Sequence, residues 1–147
     1  MAGSLIAVDT NILVYAHNRA SEWHAAARRT MAEMAESPAP WAIAWPCIHE
    51  FLAVVTNPRL FQHPGPMDSA LKQVEAWMEA PGLQLIGEMQ GHWTELCRLL
   101  RSGRLAGGAV HDGRIAAICL EHGVTELWTS DRDFSRMSGL RVRNPLV

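Results

Sequence analysis

Cysteine is scarce in this sequence, and so are lysine and long apolar runs. The three cysteines are widely spaced, at Cys47, Cys97 and Cys119, which fits neither a disulfide framework nor a zinc motif and suits a reducing cytosol. The longest apolar runs are much shorter than a membrane-spanning helix, and the first residues lack the charged and apolar segments of a signal peptide. The sequence therefore predicts a cytoplasmic protein that does not enter a membrane.

Several catalytic motifs are absent as well. The seven histidines are scattered and contain no His-Glu-x-x-His pattern, which argues against a zinc hydrolase. The glycine-rich segment 102–108 lacks the Gly-Lys-Ser/Thr ending of a phosphate-binding loop. A receiver-type signalling domain needs a lysine near its acids, and Lys72, the single lysine, lies in a predicted amphipathic helix. A catalytic prediction therefore has to rest on the carboxylates.

The chain does have a globular composition and an alternation of predicted strands and helices. Its 147 residues, 48% of them apolar, suffice for one domain spanning residues 1–147. Short apolar runs predict strands at 5–8, 41–43, 83–86, 124–129 and 140–143. Apolar residues at helical spacing mark residues 12–16, 21–36, 47–56, 67–79, 89–100 and 110–122. This order predicts an α/β three-layer sandwich with a central, mostly parallel sheet.

Capping and breaking residues set the predicted boundaries. Ser21 is placed to cap one helix, Pro46 suits the first turn of the next, and Gly123 is placed to end the last. Three prolines and a glycine predict a loop at 57–66. The helix at 47–56 is apolar on nearly every side and is predicted to be buried. The helix at 67–79 is predicted to place Leu71, Val74, Trp77 and Met78 inward, and the following helix is marked by Met89, Trp93, Leu96, Cys97 and Leu100.

The first apolar run leads directly into Asp9, Thr10 and Asn11. A strand this apolar is predicted to be buried on both faces of a parallel sheet. A carboxylate at its end is rarely buried unless it is paired or bound to metal. Because ligand sites in open α/β sheets lie at the carboxyl ends of the strands, Asp9 is the first candidate for a functional site.

Two further acids lie among apolar residues on predicted helices. Glu50 shares a helix face with Cys47 and Val54, where it either belongs to a site or pairs with an arginine. Asp112 lies in the first turn of the helix at 110–122, where capping that helix is an alternative role. Neither acid identifies a site by itself.

A fourth acidic segment follows the predicted strand at 124–129. It carries Asp131 and Asp133, although aspartates at a strand end can also serve a turn alone. Several carboxylates at one sheet edge cannot all ionise at close range without a cation. Oxygen ligands select Mg²⁺ or Mn²⁺, and such sites hydrolyse phosphate esters. The sequence therefore predicts a metal-dependent site for phosphodiester hydrolysis.

The order and spacing of these residues resemble those of the PIN-domain ribonucleases, and more closely those of the VapC toxins of bacterial toxin–antitoxin pairs. The resemblance covers almost the whole chain. It rests on five segments: Asp9-Thr10-Asn11, Glu50-Phe51, Asp112 with Ile115-Ala116-Ala117, the run 129–134 and the ending 139–146. The resemblance implies a PIN-like α/β/α sandwich and an endoribonuclease that depends on Mg²⁺ or Mn²⁺.

The resemblance also implies a role for each acid. The implied metal ligands and catalytic residues are Asp9, Glu50, Asp112 and Asp131. Asp9 and Asp112 are the main ligands, whereas Glu50 binds through water or orients the nucleophile. The implied supporting residues are Asn11, Thr129 and Asp133. Gly113 departs from the family pattern, because many relatives have alanine or another good helix former there.

The family resemblance further implies an RNA substrate, a small cognate antitoxin and a homodimer. Tryptophan and methionine are typical interface residues, and four of them are predicted to form an apolar groove for a partner segment: Trp23, Met31, Trp77 and Met78. Burial of these four in the core is the alternative. A partner arginine pairing with Asp9, Asp112 or Asp131 would displace the metal.

Two other functions remain open at this stage. A phosphatase with an aspartyl nucleophile would carry Asp-x-Asp after the first strand, but the third residue here is Asn11. A non-catalytic module that binds RNA or a protein through a metal would use the same acids. Loss of RNA cleavage in EDTA, with RNA binding retained, separates an enzyme from such a module.

Overall fold

Five short strands form the centre of the structure, a computed structural model that describes residues 4–59 and 65–147. The strands are β1 (Ile6–Val8), β2 (Trp41–Ala44), β3 (Leu83–Ile86), β4 (Glu126–Trp128) and β5 (Arg141–Arg143). Their order across the sheet is β3-β2-β1-β4-β5. All four neighbouring pairs are parallel, so the predicted parallel sheet is confirmed.

Six α-helices connect and cover the strands in the described ranges 4–59 and 65–147. They are α1 (Thr10–His17), α2 (His24–Glu36), α3 (Trp45–Val55), α4 (Met67–Met78), α5 (His92–Ser102) and α6 (Ala109–Glu121). A short 3₁₀ helix, Arg132–Arg136, follows β4. Helix α1 packs against α2 and α3, α3 against α4, and α5 against α6. The predicted three-layer α/β/α sandwich is confirmed.

The core is centred on the two innermost apolar strands. All four residues of β2 are buried, as are Ala7 and Val8 of β1. The outer strand β5 instead exposes Arg141 and Arg143, and within the described residues it pairs with β4 on one edge only. The central strands are apolar on both faces because helices cover both sides of the sheet, as the sequence predicted.

The structure differs from the prediction at the start of α2 and agrees with it at the end of α6. Helix α2 begins at His24 rather than at the predicted residue 21, because Ser21 accepts the Trp23 N–H in a turn at 3.1 Å instead of capping the helix. Gly123 adopts a φ of 75° directly after α6, so the predicted glycine stop is confirmed. The predicted loop at 57–66 can be compared with the structure only in part, because residues 60–64, which include His63, lie outside the described residues.

The predicted inward face of α4 is partly wrong. Leu71 and Met78 of α4 are exposed, whereas Val74 and Trp77 are buried. Helix α5 is confirmed, but Met89, predicted to mark it, lies before its first residue. On α5, Leu99 is buried, while Trp93 is 72% exposed.

No helix in the described ranges is long and apolar enough to cross a membrane.

Candidate active site

Asp9 connects the end of β1 to the start of α1. Its backbone N–H donates to the Trp128 carbonyl at 2.9 Å, which keeps the chain paired with β4 beyond the strand. Its side chain caps α1, because Oδ1 accepts the Thr10 N–H at 2.8 Å. The strand and the cap together fix this carboxylate at the carboxyl edge of the sheet, and its residue is only 5% exposed.

The Asp9 carboxylate is surrounded by neutral donors. Oδ2 accepts the Thr129 hydroxyl at 2.8 Å, and Oδ1 lies 3.6 Å from the Cys47 thiol, which donates to it. No arginine, lysine or histidine of the described residues forms an ion pair with it. Burial therefore raises the pKa of Asp9 to about 6, even though the hydrogen bonds from Thr129 and Thr10 oppose the shift. A buried carboxylate without a counter-charge is suited to binding a cation.

Thr129 connects three segments of the site. Its buried hydroxyl donates to Asp9 and accepts hydrogen bonds from the Asn11 amide and the Asp131 N–H, both at 3.0 Å. The Asn11 Oδ1 accepts the Ser130 N–H at 3.2 Å. Of the two residues predicted to support the site, Thr129 therefore contacts the predicted ligands Asp9 and Asp131 directly, and Asn11 acts through Thr129 and the Ser130 backbone.

Asp112, Asp131 and Asp133 form an acidic cluster in which one carboxylate oxygen of each lies within 4.8 Å of the others. Asp112 and Asp131 are partly buried, and Asp133 is exposed. Asp131 also caps the 3₁₀ helix, because its Oδ1 accepts the Asp133 N–H at 2.9 Å. Burial and then the charge of Asp131 raise the pKa of Asp112 to about 6, with smaller contributions from Asp9, Asp133 and Glu50.

Glu50 differs from its sequence prediction. It is exposed on the outer face of α3, as are Trp45, His49 and Ala53, so the prediction of a helix buried on all sides is wrong. Within residues 4–59 and 65–147 no ion pair joins Glu50 to an arginine, which removes the alternative structural role. The Thr10 hydroxyl instead donates to its Oε2 at 3.4 Å. Glu50 therefore lies at the mouth of the site.

One cavity of about 240 Å³ brings the four predicted acids together. Its walls are formed by residues from α1, α3, α6 and the segment after β4: Asp9, Thr10, Asn11, Val14, Tyr15, Glu50, Val54, Asp112, Ile115 and Asp131. Asp133 joins Asp112 and Asp131 at its exposed side. The arrangement places four carboxylates around one space large enough for a hydrated cation and a phosphate.

Gly113 has a packing role next to Asp112. A Cβ atom there would lie 3.0 Å from Cδ2 of Leu100 and 3.3 Å from Cδ1 of Leu105. The absence of a side chain therefore lets α5 and the following turn pack closely against the first turn of α6. A side chain larger than alanine would therefore have to displace Leu100 or Leu105 close to Asp112.

Two cysteines lie behind the acids, and the sequence predicts no functional role for either. Cys47 and Cys119 are buried, and Cys47 contacts Asp9 directly. Burial, reinforced by the charge of Asp9, raises the pKa of Cys47 well above its usual range and that of Cys119 to about 12. Burial therefore favours the protonated thiol at both positions in the metal-free protein. The sequence contains no signal for the contact between Cys47 and Asp9, which lie on different elements.

The donor set fits a hard divalent cation. Every side chain of the acidic cluster offers carboxylate oxygen, and within the described residues none of these carboxylates forms an ion pair with a basic side chain. Burial, and then neighbouring negative charge, raises the pKa of Asp112, and burial against the opposing hydrogen bonds raises that of Asp9. Oxygen-only sites favour Mg²⁺ and Mn²⁺ over Zn²⁺, which prefers nitrogen and sulfur ligands.

Comparison with known proteins identifies the class of this fold and site. The family described as PIN domain matches residues 6–140. The structure superimposes on VapC20 of Mycobacterium tuberculosis, named as a toxin that cleaves the sarcin–ricin loop, with a TM-score of 0.69 and 17% identity over 95% of this chain and 99% of that one. VapBC2 of Rickettsia felis, solved with a DNA fragment from its promoter, gives a TM-score of 0.70 and 19% identity, covering 95% and 98%.

Relatives at higher sequence identity narrow the class. Ribonuclease VapC48 of Mycobacterium tuberculosis is 31% identical over 137 residues, covering 93% of this chain and 94% of the relative. The VapC ribonuclease Mb2897 of Mycobacterium bovis is 32% identical over 142 residues, covering 97% and 96%. The chain therefore belongs to the PIN domain family and, within it, to the VapC ribonucleases.

Proposed function

We propose that this protein is the toxin of a type II toxin–antitoxin pair and cleaves RNA as an endoribonuclease dependent on Mg²⁺ or Mn²⁺. The observation that carries the proposal is the single cavity lined by Asp9, Glu50, Asp112 and Asp131, acids that come from four separate segments. Membership of the VapC family supports the ribonuclease activity. Residues 1–147 act as one domain in this proposal, and the three free thiols agree with a cytoplasmic location.

The acids hold the metal in this proposal. Asp9 and Asp112 are its main ligands, with Asp131 beside them and Asp133 supporting Asp131 through the Asp133 N–H. When bound, the metal lowers the pKa of a water molecule and stabilises negative charge on the phosphate. Removal of either main ligand is therefore expected to weaken metal binding and cleavage together.

Glu50 is proposed to act on the attacking water. Its carboxylate is exposed at the mouth of the cavity, and the Thr10 hydroxyl orients it through Oε2. It can therefore accept a hydrogen bond from water without a strong desolvation cost. Asn11 and Thr129 position Asp9 and Asp131 through the hydrogen bonds at the end of β4.

The substrate in this proposal is RNA with unpaired residues. A cavity of about 240 Å³ admits a phosphate group, and the flexible backbone of an unpaired segment can bend into it more readily than that of a regular double helix. The walls contributed by Val14, Val54 and Ile115 are apolar, so they provide surface for an unstacked base or sugar. Loops and single strands present their phosphates in this way.

Total RNA incubated with the purified protein tests the proposal. We expect cleavage at discrete sites in Mg²⁺ or Mn²⁺ and none in EDTA, with the new ends mapped by sequencing. Asp9→Asn and Asp112→Asn are each expected to lose nearly all activity because each removes a ligand charge. Asp68→Asn, on the exposed first turn of α4, is the matched control and should cleave like the wild type. Wild-type cleavage rates in either site variant would contradict the assignment.

The same assay distinguishes the two alternative functions. A non-catalytic module would bind labelled RNA but leave it intact in every metal. A metal-dependent phosphatase would release inorganic phosphate from phosphate monoesters and leave internal linkages uncut. Internal cuts in RNA therefore support only the endoribonuclease.

We also propose that a cognate antitoxin inhibits the protein and docks in a groove of about 460 Å³ between α2 and α4. Met31 and Trp77 line it and are buried, and Ala32, Ala35 and Ala76 let a partner backbone approach closely. The predicted groove residues Trp23 and Met78 do not line it, which corrects the sequence prediction. Arg19 and Arg28 at its edge favour a partner segment with an apolar face and acidic neighbours.

The antitoxin proposal and the homodimer proposal have separate tests. Co-expression with the product of the neighbouring gene should give a tight complex without RNA cleavage. A homodimer would bury exposed apolar side chains outside the groove, such as Trp93 and Met89, and analytical ultracentrifugation measures it. A neighbour product that neither co-purifies nor inhibits would exclude the toxin assignment and leave the nuclease assignment intact.

A further inference from the structure

A second cavity lies beside the acidic one, on the side of the edge strand β5. Its volume is about 450 Å³, and its walls include Ser130, Arg132, Ser135 and Asn144. Asp131 lines both cavities, so the two meet at this residue. A chain that passes through the acidic cavity can therefore continue into the second one.

The polar side chains of the second cavity are mainly unused donors. Within residues 4–59 and 65–147, the Arg132 guanidinium forms no ion pair, and the hydroxyls of Ser130 and Ser135 form no hydrogen bond. Asn144 accepts the Leu146 N–H with Oδ1 at 3.0 Å, which leaves its amide Nδ2 to donate. The cavity thus collects the positive charge of Arg132 and three neutral donor groups around an open space, with the Asp131 carboxylate on the wall that it shares with the acidic cavity.

The two cavities differ in the groups that they offer to the phosphates of an RNA strand. The acidic cavity offers acceptors and therefore needs a cation before a phosphate can bind there. The second cavity offers donors from Ser130, Arg132, Ser135 and Asn144, and its Asp131 carboxylate lies where the two cavities meet, so a phosphate can bind at the arginine without metal. Guanidinium groups bind phosphate oxygens in pairs, and hydroxyl and amide groups are frequent partners of nucleic-acid backbones.

We propose that the second cavity is a phosphate subsite, in which Arg132, Ser130, Ser135 and Asn144 bind an RNA phosphate next to the scissile one. This inference rests on the proposed ribonuclease function and deepens it. The subsite sets the register of the strand, so that the neighbouring phosphodiester lies between Asp9 and Asp112. Backbone contacts of this kind add affinity for every sequence rather than selectivity for one.

The salt dependence of RNA binding tests the subsite. The probe is a short fluorescein-labelled single-stranded RNA of mixed sequence, and fluorescence anisotropy in EDTA measures binding without cleavage. Loss of one phosphate contact lowers the slope of log Kd against log salt by about 0.7. We expect Arg132→Gln to show this loss of slope and to weaken binding about tenfold, as for a charged hydrogen bond. Arg132→Lys should retain the slope because it retains the charge.

Two further variants separate the contact from an effect on folding. Arg29→Gln removes an exposed arginine of α2 that lines neither cavity, and it should leave Kd and the salt slope unchanged. The double variant Ser135→Ala/Asn144→Ala removes neutral donors and should weaken binding with the slope retained. This second variant keeps the proposal testable if Arg132→Gln disturbs the 3₁₀ helix.

Each outcome decides the proposal. A wild-type slope in Arg132→Gln, with the protein still cleaving total RNA in Mg²⁺, overturns the subsite and leaves the ribonuclease function standing. A wild-type protein that neither binds nor cleaves RNA overturns both. If Arg132→Gln weakens binding of the neighbouring gene product but not of RNA, the cavity binds protein and the phosphate subsite is wrong.

Discussion

The Thr129 hydroxyl donates a hydrogen bond of 2.8 Å to Oδ2 of Asp9, across a separation of 120 residues in the chain. The two residues follow β4 and β1, which are neighbours in the sheet. The same hydroxyl accepts from Asn11 and from the backbone of Asp131. The buried Thr129 side chain therefore connects the Asp9 carboxylate, at the end of β1, to the segment that carries Asp131.

Replacing Thr129 by valine tests this role. Valine fills the same buried space, but it leaves an Asp9 oxygen without a donor, and the Asn11 amide and Asp131 N–H without an acceptor. We expect a loss of about 2–3 kcal/mol in the free energy of unfolding, measured by urea titration, together with slower RNA cleavage. Thr129→Ser keeps the hydroxyl and should retain most of both. Equal behaviour of valine and serine would exclude the hydrogen-bonding role.

The stability of the metal-free protein is expected to fall as pH rises through the pKa of Asp9. That pKa is about 6 in the folded protein against an ordinary value of 3.8, so the folded state binds the proton more tightly than the unfolded chain. The stabilisation is complete below about pH 4, falls between about pH 4 and pH 6, and is lost once the pH has risen through the folded pKa of about 6. Asp112, whose pKa is also raised to about 6, acts in the same direction.

Asp9→Asn should remove much of this dependence. In EDTA above pH 7 we expect the variant to be more stable than the wild type by about 1–3 kcal/mol, because its side chain cannot ionise. Near pH 4 the two proteins should have similar stabilities. Urea melts across this range measure the effect, and Asp68→Asn is the matched control. A variant that is markedly less stable at high pH would show that Asp9 has a structural rather than a ligand role.

The sheet and the positions of the acids could be predicted because both follow from short-range patterns. The apolar runs before Asp9 and Thr129 identify buried parallel strands, and parallel strands deliver their next residues to one edge. Side-chain exposure on the helices could not be predicted equally well. Trp93 and Leu99 are both apolar residues of α5, yet Leu99 is buried and Trp93 is exposed, because α5 packs on α6 through one face only, with Leu96 and Leu100 next to Gly113.

Glu50 shows the same limit within the site. Apolar neighbours in the sequence predicted burial, but α3 passes the cavity mouth and exposes the face that carries Glu50. The Cys47–Asp9 contact likewise depends on how α3 packs on the end of β1, which spacing along one helix does not specify. The tertiary arrangement of helices, rather than the identity of the residues, was the missing information.

Gly113 is expected to tolerate alanine but not a larger residue. A Cβ would lie 3.0 Å from a terminal methyl of Leu100, a flexible side chain that can shift, and alanine favours the helix by up to about 1 kcal/mol. We expect Gly113→Ala to change the free energy of unfolding by less than about 1 kcal/mol. Gly113→Val should cost about 2–3 kcal/mol and slow cleavage through displacement of Asp112. Urea melts and the RNA assay measure both.

A second substitution shows whether close packing against Leu100 causes the expected destabilisation by Gly113→Val. If Leu100 is the obstacle, Gly113→Val combined with Leu100→Ala should be less destabilising than the sum of the two single variants. Additive effects would mean that the valine meets a different obstacle, such as Leu105, whose Cδ1 lies 3.3 Å from the same position.

The groove between α2 and α4 provides the test of inhibition. Ala32 lies on its wall, so Ala32→Arg places a long charged side chain where a partner segment is proposed to dock, next to Arg28. We expect the affinity for the neighbouring gene product to fall at least tenfold, because the added charge is desolvated beside a like charge and the groove is filled. Ala25→Arg introduces the same residue on an exposed part of α2 outside the groove and should bind like the wild type.

Isothermal titration calorimetry measures the affinities of both arginine variants for the neighbouring gene product. RNA cleavage by the free Ala32→Arg protein should persist, since the groove is separate from the acidic cavity. Equal affinities for the two arginine variants would place the partner elsewhere on the protein.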